Sequence, residues 1–540
     1  MEFKDRYGLT DYDVIIAGFG PTGALAANLL GKHNIRTLVV DPQSAIYDIP
    51  RGVHFDGETM RIFQSIGLAD SIIAQSACND SLNFVNGRGA SLMRVEMDQL
   101  PQTAGWPADI FFRQPLVEKH LRDNLRQFDS VSEQLGWAVT DLVQDDNGIE
   151  VSLKHADSGD TQKLHTSYLI GADGADSLVR RLLDIPLEDM DCDEPWLVVD
   201  WELEPDVSFK RDIYQFCDPA RPGTLVPCAG QHIRWEFMVT QGDNPDAMEE
   251  ESAVRAMMAP YLRHLSPDIC ADQGQILRSK VYEFHGLLAE QMRDGRVFLM
   301  GDAAHQMPPF LGQGMCAGLR DAENLVWKLA GVLGGQYDPE ILNSYHSERH
   351  AHVRAVIKQA VRIGEIIQTR DRFKAFVRDT FFRLGKLIPK LMGGIEFGQT
   401  WRLGHGLLSG DQASGRQIPQ PVMHRGTTPE ETARLDVFLP EGFCVLAMHA
   451  TDKSDLQGAA DKHPQIGCTV LALGDDLVET EAMVSRMAAQ YQLSGFLLRP
   501  DRQIYAALTN KGAPAADQLD GHLAVLAHQL FTGDLKSAAE

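Results

Sequence analysis

The segment DVIIAGFGPTGALAANLLGKHNIRTLVVD, residues 13–41, restricts the possible folds more than any other part of the chain. An apolar run (Val14, Ile15, Ile16, Ala17), a glycine-rich turn, the helical stretch ALAANLL and a second apolar run TLVVD read as strand, turn, helix and strand. Gly18, Gly20 and Gly23 make a GxGxxG turn, and Pro21 falls in the first helical turn, where its missing N–H costs little. Such a turn alone is common. Here it sits inside a βαβ unit whose second strand ends at Asp41, 18 positions after the last glycine, and that order marks a dinucleotide site. The glycines admit a pyrophosphate, the helix N-terminus offers N–H groups, and Asp41 can accept bonds from ribose hydroxyls. A tight structural turn without a ligand is the competing reading.

No second GxGxxG of comparable quality follows, so one dinucleotide is expected. Other glycine-bearing stretches that could touch it are spread over the next three hundred residues, which suits a long FAD better than NAD. The farthest is GDAAHQMPPFLGQGMCAG, beginning at Gly301, which runs into a helix with Leu319, Ala322, Val326 and Leu329 on one face. Between about 190 and 275 the pattern alternates (WLVVDWELE, RWEFMVT) and predicts a mainly β unit. Helical periodicity returns through much of 340–400, and GRQIPQP, residues 415–421, reads as a linker. Beyond it, FCVLAM, CTVLAL and GFLLRPD alternate with helical segments, as in a small α/β unit. With 540 residues, two or three domains are expected.

Five motifs in order, GFGPTG, PRGVHFDGETMRIF, QPLVEKHLR, YLIGADGADSLVR and GDAAHQMPPFLGQGMCAG, resemble the single-component (class A) flavoprotein aromatic hydroxylases of the p-hydroxybenzoate hydroxylase group. EPWLVVD, YQFCDPARPGT, RWEFM and GQGMC look like its 3-(3-hydroxyphenyl)propionate hydroxylase branch. The resemblance implies an α/β chain: a Rossmann-like FAD-binding domain (1–80, 110–190 and 275–400), an inserted mainly β substrate domain (81–109 and 191–274), and a thioredoxin-like α/β domain (415–540). It further implies an enzyme that uses NADH or NADPH and O2 to hydroxylate a phenolic acid through a flavin C4a-hydroperoxide. A flavin swinging between outer and inner positions and a dry lid formed by the β domain belong to the same expectation.

By that resemblance Gly18, Gly20, Gly23 and Asp41 are joined at the cofactor by Arg51, Gln114, Asp173, Gly174, Asp302, Gly312, Gly314 and Met315. The helix starting near Met315 is expected to aim its positive end at the N1/C2 edge of the flavin. Pro308 and Pro309 suit a wall beside the reactive position, with the Pro309 carbonyl offered to a phenol. His54 and His285 are the candidate acid–base residues, each weighed against a packed or capping role, whereas His305 is read as structural. Substrate-facing candidates are Phe216, Arg234, Met238, Met307 and Pro309. For Arg234 a surface salt bridge is an equal reading, and Phe216 and Met238 fit an ordinary core as well.

A formal charge of −25, from 50 basic and 75 acidic residues, argues against nucleic acid as a partner. No stretch approaches the ~20 apolar residues that span a bilayer, and no signal-peptide pattern opens the chain. Eight scattered cysteines without a CxxC suit a reducing cytoplasm and exclude dithiol chemistry in the C-terminal unit, for which a structural or homodimer-contact role is expected. A flavoenzyme acting on another or larger phenol, by another outcome, and a non-catalytic flavin-binding scaffold remain open alternatives. The partner expected is a small aromatic molecule.

Overall fold

The computed structural model describes residues 10–49, 51–387, 401–426 and 432–535. Tyr12–Ala17, Pro21–Lys32 and Thr37–Asp41 form the strand, helix and strand expected from the glycine turn. Tyr12–Ala17 lies between Thr37–Asp41 and Thr161–Gly171, all parallel, and Thr161–Gly171 pairs in turn with Val297–Leu299, also parallel. This order explains why motifs three hundred residues apart meet. The Gly18 turn, the Ala172-Asp173-Gly174 loop and the Met300-Gly301-Asp302 turn all leave the same carboxyl edge of one parallel sheet, where α/β folds hold ligands. Backbone bonds fasten the exits together: Gly18 N–H to Val40, Ala172 N–H to Ala17 and Met300 N–H to Gly171, at 2.7–2.9 Å.

The second sheet has seven strands in the order Gly274–Phe284, Glu194–Leu203, His232–Met238, Gly223–Pro227, Asp212–Cys217, Ser81–Asn86 and Ser91–Glu96. One boundary read from sequence is corrected here. Gly274–Phe284, assigned to the FAD-binding part from 275 onward, is the edge strand of the β unit, paired antiparallel along Glu194–Leu203. One face of the sheet carries Leu197, Val199, Trp201, Phe216, Trp235 and Phe237 against the helix Glu251–Met258. The opposite face carries Trp196, Cys217 and Met238 against Phe310, Ile363 and Ile367 of the FAD-binding part.

The helices Gly314–Leu333 and Asn343–Ile367 lie behind the cofactor sheet. Helical periodicity continues in Arg372–Leu387; the rest of that stretch, 388–400, lies outside the described residues. The C-terminal unit is a four-stranded sheet ordered Thr469–Ala472, Cys444–Ala447, Leu493–Leu498 and Ile504–Thr509, with helices Lys453–Ala460, Met483–Tyr491 and Ala515–Thr532. Its sheet mixes one parallel with two antiparallel pairings, the arrangement expected of a thioredoxin-like unit. GRQIPQP is no loose linker. Ile418 and Gln420 are fully buried, the Ile418 carbonyl accepts from Arg61 at 2.6 Å, and Gln420 donates to the Ala104 carbonyl at 2.6 Å. Its polar side chains find partners on the FAD-binding part, which composition alone cannot reveal.

Buried charge fixes the C-terminal unit in place. Arg499 grips Glu348 with two nitrogens at 2.9 Å each, and Glu348 also accepts from Lys328 at 2.8 Å and Asn324 at 2.7 Å. Arg61 makes a two-pronged bond to Asp436, 2.6 Å on each side. Burial disfavours ionisation of Glu348, but Arg499 and Lys328 outweigh it and hold its pKa down at about 2. Removing one partner strands a buried charge, at a cost of about 3–5 kcal/mol. Because the folded pKa of Glu348 is depressed, its contribution is complete above the ordinary glutamate value and fades as pH falls toward 2. Glu348→Gln should therefore lower the melting temperature at pH 7 and narrow the gap to wild type between pH 4.5 and 2, as followed by thermal melts across that range.

Candidate active site

Gly18, Gly20 and Gly23 differ in what a Cβ would meet. At Gly18 (φ +106°) it would lie 2.2 Å from the Ala172 carbonyl oxygen, and at Gly23 2.1 Å from the Gly18 carbonyl oxygen. Both are needed for packing within the fold. Gly20, at the N-cap of Pro21–Lys32, faces open space with nothing within 4 Å, so its smallness leaves room for something outside the protein. Gly174 (φ +85°), across the turn, is similarly open. The helix carries no side-chain cap and no acidic residue in its first turn, so its positive end is not neutralised by the protein. Asp41 accepts from Phe19 N–H and Gln43 N–H, both at 2.7 Å, which fixes the turn and leaves a second lone pair on each oxygen for a ribose hydroxyl.

The helix Gly314–Leu333 has the same bare N-terminus, with no acidic residue in its first turn. It is clamped onto the first helix at very short range: a Cβ at Gly318 would lie 2.4 Å from Thr22 Oγ1 and 2.9 Å from Gly301 Cα. Asp321, fully buried, ties the turn before it together, accepting from Gly301 N–H (3.0 Å) and Arg349 Nε (2.8 Å) and bonding His305 Nε2 at 2.7 Å. His305 is thus a structural partner of Asp321. Asp302 is exposed and makes no hydrogen bond among the described residues. Gly314 and Met315 open the helix itself.

Gly312 (φ +64°) takes a left-handed turn in which a Cβ would meet His54 Nδ1 at 2.5 Å. His54 Nδ1 bonds the Gly312 carbonyl at 3.1 Å, while Nε2 pairs with Asp109. Burial works against its charged form, but Asp109 prevails and raises its pKa. His54 therefore holds the glycine turn by a charge-assisted contact. The Pro309 carbonyl accepts from Gly312 N–H at 2.8 Å, which closes the turn and leaves one lone pair for a phenol. Cys316, the third residue of the helix, is not acidified: burial pushes its thiol up to about 12.

Several of the expected site residues have partners within the protein. Asp173 caps the short helix Leu178–Leu182, accepting from Leu178 N–H at 2.8 Å and Val179 N–H at 3.1 Å, so its carboxylate serves the fold. Gln114 accepts from the N–H groups of Arg51 (2.9 Å) and Gly52 (2.6 Å) and donates to Glu118 at 2.7 Å, which makes it the brace of the Arg51 segment. The Arg51 guanidinium itself lies 5.2 Å from the Tyr47 ring. His285 follows the edge strand Gly274–Phe284 and pairs with Asp193 at 2.6 Å, its side chain 33% exposed. Phe216 points to the far face of the β sheet, where its ring stacks on Tyr214 and meets Tyr261 at a tilt, centroids 4.3 Å apart. Met307 packs with Leu288, Val353 and Ile357 rather than with Met238.

Arg234 is neither a surface ion pair nor free for a substrate carboxylate. Its guanidinium is 5% exposed, bonds Asp200 through Nε at 3.0 Å and donates to the Arg51 carbonyl at 2.7 Å. Asp200 also holds His232 at 2.8 Å and Arg278 at 2.5 Å, and these cations outweigh its burial and keep it ionised. Burial opposes charge on His232, yet Cys228 and Asp200 raise its pKa to about 9. Met238 does face the proline wall, in one cluster with Trp196, Phe310 and Leu311. Sequence reading missed Glu236, although the alternation of HIRWEFM puts it on the face of Arg234 and Met238.

A family model described as an FAD binding domain matches residues 11–360. A 3-(3-hydroxy-phenyl)propionate/3-hydroxycinnamic acid hydroxylase 2 of Burkholderia vietnamiensis (strain G4 / LMG 22486) is 36% identical over 382 residues, covering 70% of this chain and 67% of that protein. A 3-(3-hydroxy-phenyl)propionate/3-hydroxycinnamic acid hydroxylase of Mycobacterium sp. (strain JLS) is 32% identical over 534 residues, 94% of this chain and 90% of that one. In fold, the flavin-dependent monooxygenase PieE in complex with FAD and substrate superposes with a TM-score of 0.77 at 20% identity, covering 96% of this chain and 100% of that one. Aklavinone-11 hydroxylase with FAD and aklavinone gives 0.74 at 21% identity, covering 96% and 99%. The chain belongs to the FAD-binding family of flavoprotein aromatic hydroxylases. It is an FAD-dependent hydroxylase, and no helix of the described residues is long and apolar enough to cross a membrane.

FAD fits what the residues leave open: two bare helix ends, the space beside Gly20 and Gly174, and the unpartnered carboxyl of Asp302. Gly20 has an extended ψ and φ of −70°, which alanine adopts without strain. Gly20→Ala should keep the fold but weaken FAD at least tenfold, whereas Gly23→Ala should lose the fold itself. Flavin absorbance per protein after desalting, beside the melting curve of flavin-stripped protein, separates the two.

Proposed function

We propose that the enzyme takes electrons from NADH or NADPH and uses O2 to hydroxylate a small phenol, with 3-(3-hydroxyphenyl)propionate and 3-hydroxycinnamate, named by its relatives, as the first candidates. The carrying observation is the facing pair formed by the bare N-terminus of Gly314–Leu333 and the Met238–Trp196–Phe310 cluster, which brings a positive helix end and an apolar enclosure to one place. Bound FAD, once reduced by the nicotinamide, would supply the two electrons with which one atom of O2 enters the ring and the other leaves as water. The chain supplies the rest.

The helix end and the N–H groups of Gly314 and Met315 favour negative charge on the ligand edge they meet, because uncapped N–H groups are both donors and the positive pole of the dipole. Trp196, Met238, Phe310 and Leu311 exclude water from the reacting face, which keeps reducing power from being lost as hydrogen peroxide. The Pro309 carbonyl, already accepting from Gly312 N–H, forms part of the wall beside the reacting face, and a hydrogen-bond acceptor for the phenol O–H raises electron density in the ring. A cytoplasmic location accords with the thiols. Burial holds Cys444 and Cys468 up at about 12, protonated and unsuited to exchange.

Mixing the holoenzyme with NADH or NADPH and a panel of phenols tests the proposal through nicotinamide absorbance and oxygen uptake. The expected outcome is oxidation accelerated at least tenfold by a phenol, with a product heavier by one oxygen atom. Oxidation that no aromatic accelerates would count against it.

A further inference from the structure

On the face of the β sheet that meets the FAD-binding part, Glu202 pairs with Arg113 and a second group of charges gathers on Asp200, while one carboxyl group stands apart. Asp200 binds His232, Arg234 and Arg278, and Arg234 reaches across to the Arg51 carbonyl. Glu236, two residues beyond Arg234 on the same strand, has no hydrogen bond or ion pair among the described residues, although only 8% of its surface remains accessible. A carboxyl group left in this way inside a protein is costly unless something else bonds to it.

Its position says what that something is. Strand alternation puts Arg234, Glu236 and Met238 in one row. Arg234 touches the Arg51 segment and Met238 packs with Phe310 and Leu311 beside the proline wall, so Glu236 looks into the interval between the two. Across the sheet it lies opposite Thr224, which is opposite Gln215. Thr224 donates to the Gln215 carbonyl at 2.7 Å, and the Gln215 amide nitrogen makes no hydrogen bond among the described residues. Glu236, Thr224 and Gln215 therefore form a polar strip in an otherwise apolar enclosure.

We propose that Glu236 contacts the substrate and accepts a hydrogen bond from its phenolic hydroxyl, which makes it a specificity residue selecting for hydroxylated rings. The assignment rests on the hydroxylation of a phenol proposed above. A carboxylate acceptor suits a phenol donor better than a neutral one, since charge-assisted bonds are shorter and stronger. The charges acting on Glu236 are Arg234 on its own strand, Asp200 on Glu194–Leu203 and Arg278 on Gly274–Phe284. Burial is the largest influence and, with Asp200, raises its pKa against the opposing pull of the two arginines. Because the acceptor is the ionised form, preference for a hydroxylated ring fades as pH falls through that raised value.

The test uses the FAD-bound holoenzyme as wild type, Glu236→Gln and Glu236→Leu, titrated between pH 5 and 8.5 with 3-(3-hydroxyphenyl)propionate and with 3-phenylpropionate. Binding is read from the flavin absorbance change, with retained flavin and melting temperature as controls for folding. Wild type should bind the hydroxylated compound at least tenfold tighter at pH 8, with the margin shrinking in acid. Glu236→Leu should lose that margin while binding 3-phenylpropionate at least as well, and Glu236→Gln should make the margin independent of pH. Variants that keep the wild-type margin and pH profile overturn the assignment. If wild type shows phenol-stimulated nicotinamide oxidation and the variants match it throughout, Glu236 alone is at fault. A Glu236-dependent margin without such oxidation leaves the assignment standing and removes the hydroxylation, and a wild type indifferent to the hydroxyl in both assays overturns both.

Discussion

The site depends on two helices that start side by side with their N-termini uncapped. Gly301 and Gly318 let the start of Gly314–Leu333 approach Thr22 on Pro21–Lys32 to a distance that no larger residue allows. Each bare end leaves N–H groups without intrahelical partners and carries about half a positive charge. Side by side, two such ends repel, and nothing in the first turn of either helix offsets this. An extended anionic ligand such as FAD would satisfy both at once. Ligand binding and stability are therefore linked: whatever binds only the folded chain stabilises it by mass action.

The inner face of the β sheet follows a different logic. The fully buried Asp200 is kept ionised by the groups gathered on it, and it in turn helps to hold the His232 imidazole charged. Such a set adds little net stability, because desolvation offsets much of the attraction. What it does provide is orientation. The Arg234 guanidinium, held by Asp200, reaches the Arg51 carbonyl and so sets the distance between the β unit and the segment that Gln114 braces from the other side. The walls of the enclosure are positioned by polar contacts, while its lining is apolar.

Where function requires a particular backbone, the sequence is readable. The glycine turn, the Gly301 stretch and the helix after it were legible because each is a local pattern with a steric cause, and the parallel strand order then brings them together. Side-chain destinations were less legible. Asp173 and Asp302 both follow a small residue in a turn, yet Asp173 is consumed by the helix cap at Leu178–Leu182 and Asp302 is left free. Phe216 and Met238 were equal candidates by composition, and only the register of their strands sends one to each face. His54 needed Asp109 and the Gly312 carbonyl, neither near it in sequence, and no local signal announces such partners. Glu236 is the instructive omission, because strict alternation already places it between two residues that were chosen.

The C-terminal unit carries no CxxC pair, its cysteines being Cys444 and Cys468, and it is fastened to the rest of the chain by buried charge. The fastening points explain this. Lys328, Asn324 and Trp327 all belong to Gly314–Leu333, and they reach Glu348 or Asp501, the residues that Arg499 holds. The same helix is pinned at its front by Gly318 against Thr22 and at its middle by Asp321 bonded to Arg349 and His305. A helix held at three points along its length cannot slide or tilt, and its N-terminus must stay fixed relative to the cofactor for its dipole to act on a developing charge without reorganisation. Through Arg499 and Asp501 the C-terminal unit supplies one of those three holds.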